Sequence, residues 1–126
     1  MVGLVIVSHS DKLAQGVLDL ARMMAKKAPI AAAGGLEDGS FGTSFEKISN
    51  AIDQVYSDDG VILLMDMGSA VMTAEMVIES MEGRKLVMAD CPIAEGAVTG
   101  TVGAEAGMSL EEILEDLEQV GAQKKL

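Results

Sequence analysis

The sequence predicts an α/β fold: an open parallel sheet of about four strands with helices packed on both faces. Three observations predict it. Short apolar runs alternate with amphipathic segments of helical length along the whole chain. The run Val61-Ile62-Leu63-Leu64-Met65 has no polar alternation, the pattern of a strand covered on both faces of a parallel sheet. Parallel neighbours, in turn, must be joined by crossovers long enough to hold a helix.

Leu4-Val5-Ile6-Val7 is the first strand. Ser10 is placed as the N-cap of a helix whose apolar residues are Leu13, Val17, Leu20 and Met24, and Lys26-Lys27 suit its C-terminus. Ile30-Ala31-Ala32-Ala33 is a weak second strand running into a glycine-rich segment over 34–42, expected to be a long mobile loop. Thr43 with Glu46 has the form of a capping box, opening a helix with Phe45, Ile48, Ile52 and Val55 inward. Ser57-Asp58-Asp59-Gly60 stops it before the third strand, Val61 to Met65. Ser69 can cap a third helix carrying Val71, Ala74, Ile78 and Met81. Leu86-Val87-Met88-Ala89 follows as a fourth strand, and Pro92 opens a fourth helix. Glycines 96, 100, 103 and 107 recur there at helical spacing and leave a smooth stripe that something should pack against. Ser109 and Glu112 form a second capping box, with Leu110, Ile113, Leu114 and Leu117 inward and Glu111, Glu115 and Glu118 outward.

The 126 residues suit one domain over 1–126, with no repeat or linker to divide it. Nine Lys and Arg against twenty Asp and Glu leave a net charge of −11, which repels phosphate backbones and anionic head groups, so neither nucleic acid nor a membrane surface is expected as a partner. No apolar run is long enough for a bilayer span. Met1-Val2-Gly3-Leu4 lacks the basic flank, apolar core and cleavage site of a secretory signal, and a cytoplasmic address is expected. Cys91 has no second cysteine and only one histidine to accompany it, which removes a disulfide scaffold and a zinc site. No metal and no cofactor are expected.

In an open α/β sheet, ligands bind beyond the carboxyl ends of the strands where strand order reverses. Strand one ends in Ser8-His9-Ser10 and strand three in Asp66-Met67-Gly68-Ser69. If those strands are neighbours, His9 faces Asp66. A carboxylate holding one imidazole nitrogen leaves the other nitrogen's lone pair free to attack. A phosphoryl group taken up there would meet the helix N-termini after Ser10, Thr43 and Ser69, with Gly68 beside the last of these. Each residue also has a plainer reading: the histidine as a packing residue, Asp66 as a turn residue, Thr43 and Ser69 as caps, Cys91 as a small buried hydrophobe and the ten methionines as core or interface filler. The glycine-rich segment lacks a P-loop lysine and is a weak phosphate signal.

Leu4-Val5-Ile6-Val7-Ser8-His9-Ser10, Gly42-Thr43, Met65-Asp66-Met67-Gly68-Ser69-Ala70 and Pro92-Ile93-Ala94-Glu95-Gly96 follow one another in an order that resembles a known family from Met1 to about Val120. It is that of the phosphotransferase subunits of phosphoenolpyruvate-dependent dihydroxyacetone kinases, within the mannose-type IIA domains of the sugar phosphotransferase system. The resemblance implies strand order 2-1-3-4, His9 as the phosphohistidine position and Asp66 as the aspartate that orients it. It implies two partners: the histidine phosphocarrier protein as donor, and the ADP-binding subunit of dihydroxyacetone kinase as acceptor. It also implies a homodimer, for which the glycine stripe or the methionine-rich surface is available, and a place in glycerol metabolism.

One rival stands within phosphotransfer and two belong to different classes. A mannose-type IIA component of a sugar transporter shares the fold, but such components usually continue through a linker into a further domain. A receiver domain would use Asp66 as its acceptor, yet it needs an acidic cluster after strand one, where Ser8-His9-Ser10 stands, and a lysine after a later strand, whereas Lys85 precedes its strand. An anion-binding module using the 34–42 loop would need no histidine.

Overall fold

The computed structural model describes residues 1–126. In chain order the elements are β1 (Gly3–Ser8), α1 (Asp11–Met24), β2 (Ile30–Gly34), α2 (Phe45–Val55), β3 (Val61–Met65), α3 (Gly68–Ser80), β4 (Leu86–Ala89), α4 (Ile93–Glu105) and α5 (Leu110–Ala122). The strands form one sheet in the order β2-β1-β3-β4, and every neighbouring pair is parallel. No helix is long and apolar enough to cross a membrane.

The pleat explains why the strands are apolar without alternation. Leu4, Ile6, Ile62 and Leu64 point to one face and pack with Ala14, Val17 and Ala21 of α1, Ala97 and Ala104 of α4, and Leu110, Ile113 and Leu117 of α5. Val5, Val7, Val61 and Leu63 point to the other and pack with Ile48, Ala51, Ile52 and Val55 of α2 and Ala70, Ala74 and Val77 of α3. Successive residues thus enter opposite cores, and both must be apolar.

Several local expectations are corrected. The face that α1 buries is Ala14, Val17 and Ala21; Leu13, Leu20 and Met24 are exposed. The N-cap of α2 is Ser44, whose hydroxyl accepts from Lys47 N, and Phe45 is exposed. Capping of α3 falls to Met67 without any side-chain bond. The glycine stripe of α4 is already occupied from within the chain. A methyl group placed on Gly100 would lie 2.5 Å from Leu4 Cδ2, one on Gly96 2.5 Å from Cys91 Sγ, and one on Gly103 3.1 Å from Met108 Sδ. Gly107 lies beyond the helix at φ +84°. Gly107 N donates to Ala104 O and Met108 N to Gly103 O, both at 3.0 Å, the paired bonds of a Schellman stop. The stripe therefore serves close packing of α4 on β1 and α5, and is not a free surface. The capping box of α5 forms with Ser109 and Glu112 as predicted.

Candidate active site at the carboxyl ends of β1 and β3

Strand order reverses between β1 and β3, since the chain passes from β1 outward to β2 and then returns to β3 on the opposite side. Val7 is paired with Met65, and Asp66 N donates to Val7 O at 3.1 Å. The residues that follow, Ser8-His9 on one strand and Asp66 on the other, consequently emerge side by side.

Asp66 is surrounded by donors. Its Oδ2 accepts from Ser8 Oγ at 2.8 Å and His9 N at 3.0 Å, while Oδ1 accepts from Met67 N at 2.7 Å and lies 2.9 Å from His9 Nδ1. Burial favours the neutral acid, but these hydrogen bonds together outweigh it and hold the carboxyl below the ordinary carboxylate range. An ionised carboxylate can only accept, so the hydrogen between Oδ1 and Nδ1 belongs to the imidazole. The neutral ring is then the Nδ1–H tautomer, with its lone pair on Nε2. Ser69 Oγ lies within hydrogen-bonding reach of Nε2 and, facing a lone pair, donates to it. The Asp66 side chain is 8% exposed and that of His9 24%: the carboxylate is enclosed, and the ring can be approached from outside.

Of the residues singled out for phosphoryl binding, Ser69 touches the ring directly. Ser10 caps α1, its hydroxyl accepting from Leu13 N at 3.2 Å. Thr43 is turned toward α3: its hydroxyl bonds Thr73 Oγ1 at 2.8 Å, and Thr73 Oγ1 donates to Ser69 O at 3.0 Å. It reaches the site through α3 and does not touch His9. Gly68 is the first residue of α3, where backbone N–H groups lie outside the intrahelical ladder. The 34–42 segment is tied at both ends to the close of β1 and the residue after it, Gly35 N donating to Ser8 O at 3.1 Å and Gly42 N to His9 O at 2.9 Å. Close approach of α1 to the end of β2 requires Gly34, where a methyl group would lie 2.6 Å from Ser10 O. Ser8 carried no functional signal in the sequence, being one polar residue at the end of an apolar strand, yet it touches both Asp66 and Ser10.

The arrangement offers a nucleophilic nitrogen beside the start of a helix, whose unpaired N–H groups favour an anion. Residues 3–116 match the family model described as the PTS system fructose IIA component. Sheet order and match agree on the class: the chain belongs to the mannose-type IIA family of the phosphotransferase system.

Within that class, its relatives are the phosphotransferase subunits of dihydroxyacetone kinase. The chain is 41% identical over 122 residues to "PTS-dependent dihydroxyacetone kinase, phosphotransferase subunit DhaM" of Lactococcus lactis, covering 97% of this chain and 98% of that protein. It is 38% identical over 123 residues to "PEP-dependent dihydroxyacetone kinase, phosphoryl donor subunit DhaM" of Escherichia coli, covering 92% of this chain but 26% of that protein. The chain thus spans about a quarter of the Escherichia coli relative. A crystal structure of a protein of unknown function superposes with a TM-score of 0.87 at 28% identity, over 99% of this chain and 98% of that one.

Proposed function

We propose that the chain is the phosphohistidine carrier of a phosphoenolpyruvate-dependent dihydroxyacetone kinase. His9 accepts a phosphoryl group from the histidine phosphocarrier protein and passes it to ADP bound on the kinase's nucleotide-binding subunit. The observation that carries this reading is the hydrogen bond of 2.9 Å between His9 Nδ1 and Asp66 Oδ1, which leaves Nε2 as the attacking atom. In the transfer, the Nε2 lone pair forms the new N–P bond as the donor's bond to phosphorus breaks, and the electron pair leaves with the donor imidazole. His9 keeps its Nδ1 hydrogen and becomes cationic, and the adjacent Asp66 carboxylate offsets that charge. Ser69, Gly68 and the first turn of α3 supply donors to the phosphoryl oxygens, with Ser10 and Thr43 as further contributors. Phosphoryl transfer asks chiefly for in-line positioning and charge stabilisation, so few groups suffice. The partners meet an exposed apolar border around the site: Phe41 is 82% exposed, Met67 63% and Met72 67%. A cytoplasmic homodimer is part of the proposal, with exposed methionines outside that border, such as Met23 and Met24, rather than the glycine stripe left for subunit contact.

The test is incubation of the chain and its His9→Ala variant with labelled phosphoenolpyruvate and the two general phosphotransferase proteins. Acid-labile, alkali-stable label that is lost in the variant and discharged by the ADP-loaded kinase subunit is the expected result. Absence of label, or label that persists in His9→Ala, refutes the proposal.

A further inference from the structure

Ser8 is fully buried, with no side-chain surface open to solvent. Its hydroxyl is used twice: it donates to Asp66 Oδ2 at 2.8 Å and accepts from Ser10 N at 3.0 Å. The backbone beneath it is fixed on both sides. Ser8 pairs with Gly34 in the β1–β2 ladder, and its carbonyl accepts from Gly35 N at 3.1 Å. The hydroxyl is therefore a stationary donor aimed at one lone pair of the carboxylate, and it also joins that carboxylate to the residue that caps α1.

Oδ1 of Asp66 is left to His9 Nδ1 and Met67 N, because Oδ2 is held by Ser8 and His9 N. Taking the hydroxyl away removes one of the two donors that fix Oδ2, in a place too enclosed for bulk water to act as a full substitute. We propose that Ser8 is a positioning residue for His9, acting through Asp66: its buried hydroxyl locks the carboxylate so that Oδ1 faces Nδ1, and this holds the imidazole in the tautomer that attacks through Nε2. The inference rests on the phosphocarrier reading above for its consequence, and on the hydrogen-bond geometry alone for its cause.

The experiment compares the full chain with Ser8→Ala and Ser8→Thr. Ring nitrogen chemical shifts are recorded above the imidazole titration, and initial rates of phosphoryl uptake from the phosphorylated histidine phosphocarrier protein are measured in parallel. The parent should show the Nδ1–H form. Ser8→Ala should show a mixture of tautomers and an uptake rate reduced by about tenfold, short of the roughly hundredfold that a full 1 Å misplacement of a reacting group can cost. Ser8→Thr, which keeps the hydroxyl, should restore both. An unchanged tautomer in Ser8→Ala, whatever its rate, overturns the proposal, as does equal loss in the alanine and threonine variants, which would assign the effect to packing. Should the parent take up no phosphate at all, the phosphocarrier reading fails, while the tautomer comparison still decides whether Ser8 orders the ring.

Discussion

The carboxyl ends of β3 and β4 look alike in outline, each with an aspartate at the strand end, a candidate nucleophile close by and a helix beginning a few residues later, yet they are physically opposite. At the end of β3, Asp66 is met by the loop after β1, which brings His9 and Ser8 against it. At the end of β4 no such loop arrives, because β4 is an edge strand. Asp90 is exposed. Cys91 packs its sulfur into the space that Gly96 leaves, close to Leu64, and burial, followed by the charges of Asp90 and Glu95, pushes its thiol up to about 11. Since the thiolate is the reactive form, Cys91 acts at neutral pH as a small apolar residue. A strand end becomes a site only where the switch in strand order delivers a second loop to it.

That contrast can be broken most forcefully at Asp66. On the proposed function, Asp66→Ala should slow phosphoryl uptake by more than about tenfold, since it removes the group that orients the nucleophile, while its melting curve stays cooperative. A variant that keeps its rate would reduce Asp66 to a turn residue. Next in size is Gly100→Val, which forces atoms into Leu4 at the centre of the α4 packing. Overpacking of this kind costs about 1–3 kcal/mol, so chemical denaturation should show a loss of stability, with a near-parental uptake rate in the fraction that remains folded. Acid gives a smaller effect. The folded carboxyl of Asp66 titrates below its unfolded value of about 3.9. Its contribution to stability is complete above that value and fades as pH falls through the lower folded one. Asp66→Asn should therefore lose less melting temperature than the parent between about pH 5 and about pH 3. Smallest of all, Cys91→Ala should leave the uptake rate unaltered, and a slowed rate would show that the end of β4 does take part.

Much of this was legible in the sequence, for reasons particular residues make plain. The unbroken Val61 to Met65 run announced a strand with a core on each side, and the two cores are there. The pairing of His9 with Asp66 followed from the strand ends on the condition that β1 and β3 are neighbours, an order the family resemblance implied and the sheet has. Misreadings arose where size or spacing misled. In α1 the larger Leu13, Leu20 and Met24 looked inward-facing, but a helix seated this close to the sheet buries the small Ala14 and Ala21 instead. Two adjacent hydroxyls, Thr43 and Ser44, both suit a cap, and the backbone uses the second. Ser69 has the residue type of a cap, but α3 begins at Gly68 with Met67 in the cap position, so Ser69 lies inside the first turn and its hydroxyl turns to His9. Glycines at helical spacing do not disclose whether their partner is another chain or, as here, Leu4 and Ile113 of the same one. Ser8 had no signature because a lone hydroxyl gains its meaning only from the carboxylate that folding brings opposite.

The central claim is that Asp66 occupies Nδ1 and leaves Nε2 to carry the phosphoryl group. It is tested most directly by phosphorylating the ring-labelled protein and recording phosphorus–nitrogen coupling. Coupling to Nε2, with Nδ1 still protonated, is the predicted result; coupling to Nδ1 would mean that the hydrogen bond to Asp66 is broken before transfer and would contradict the account.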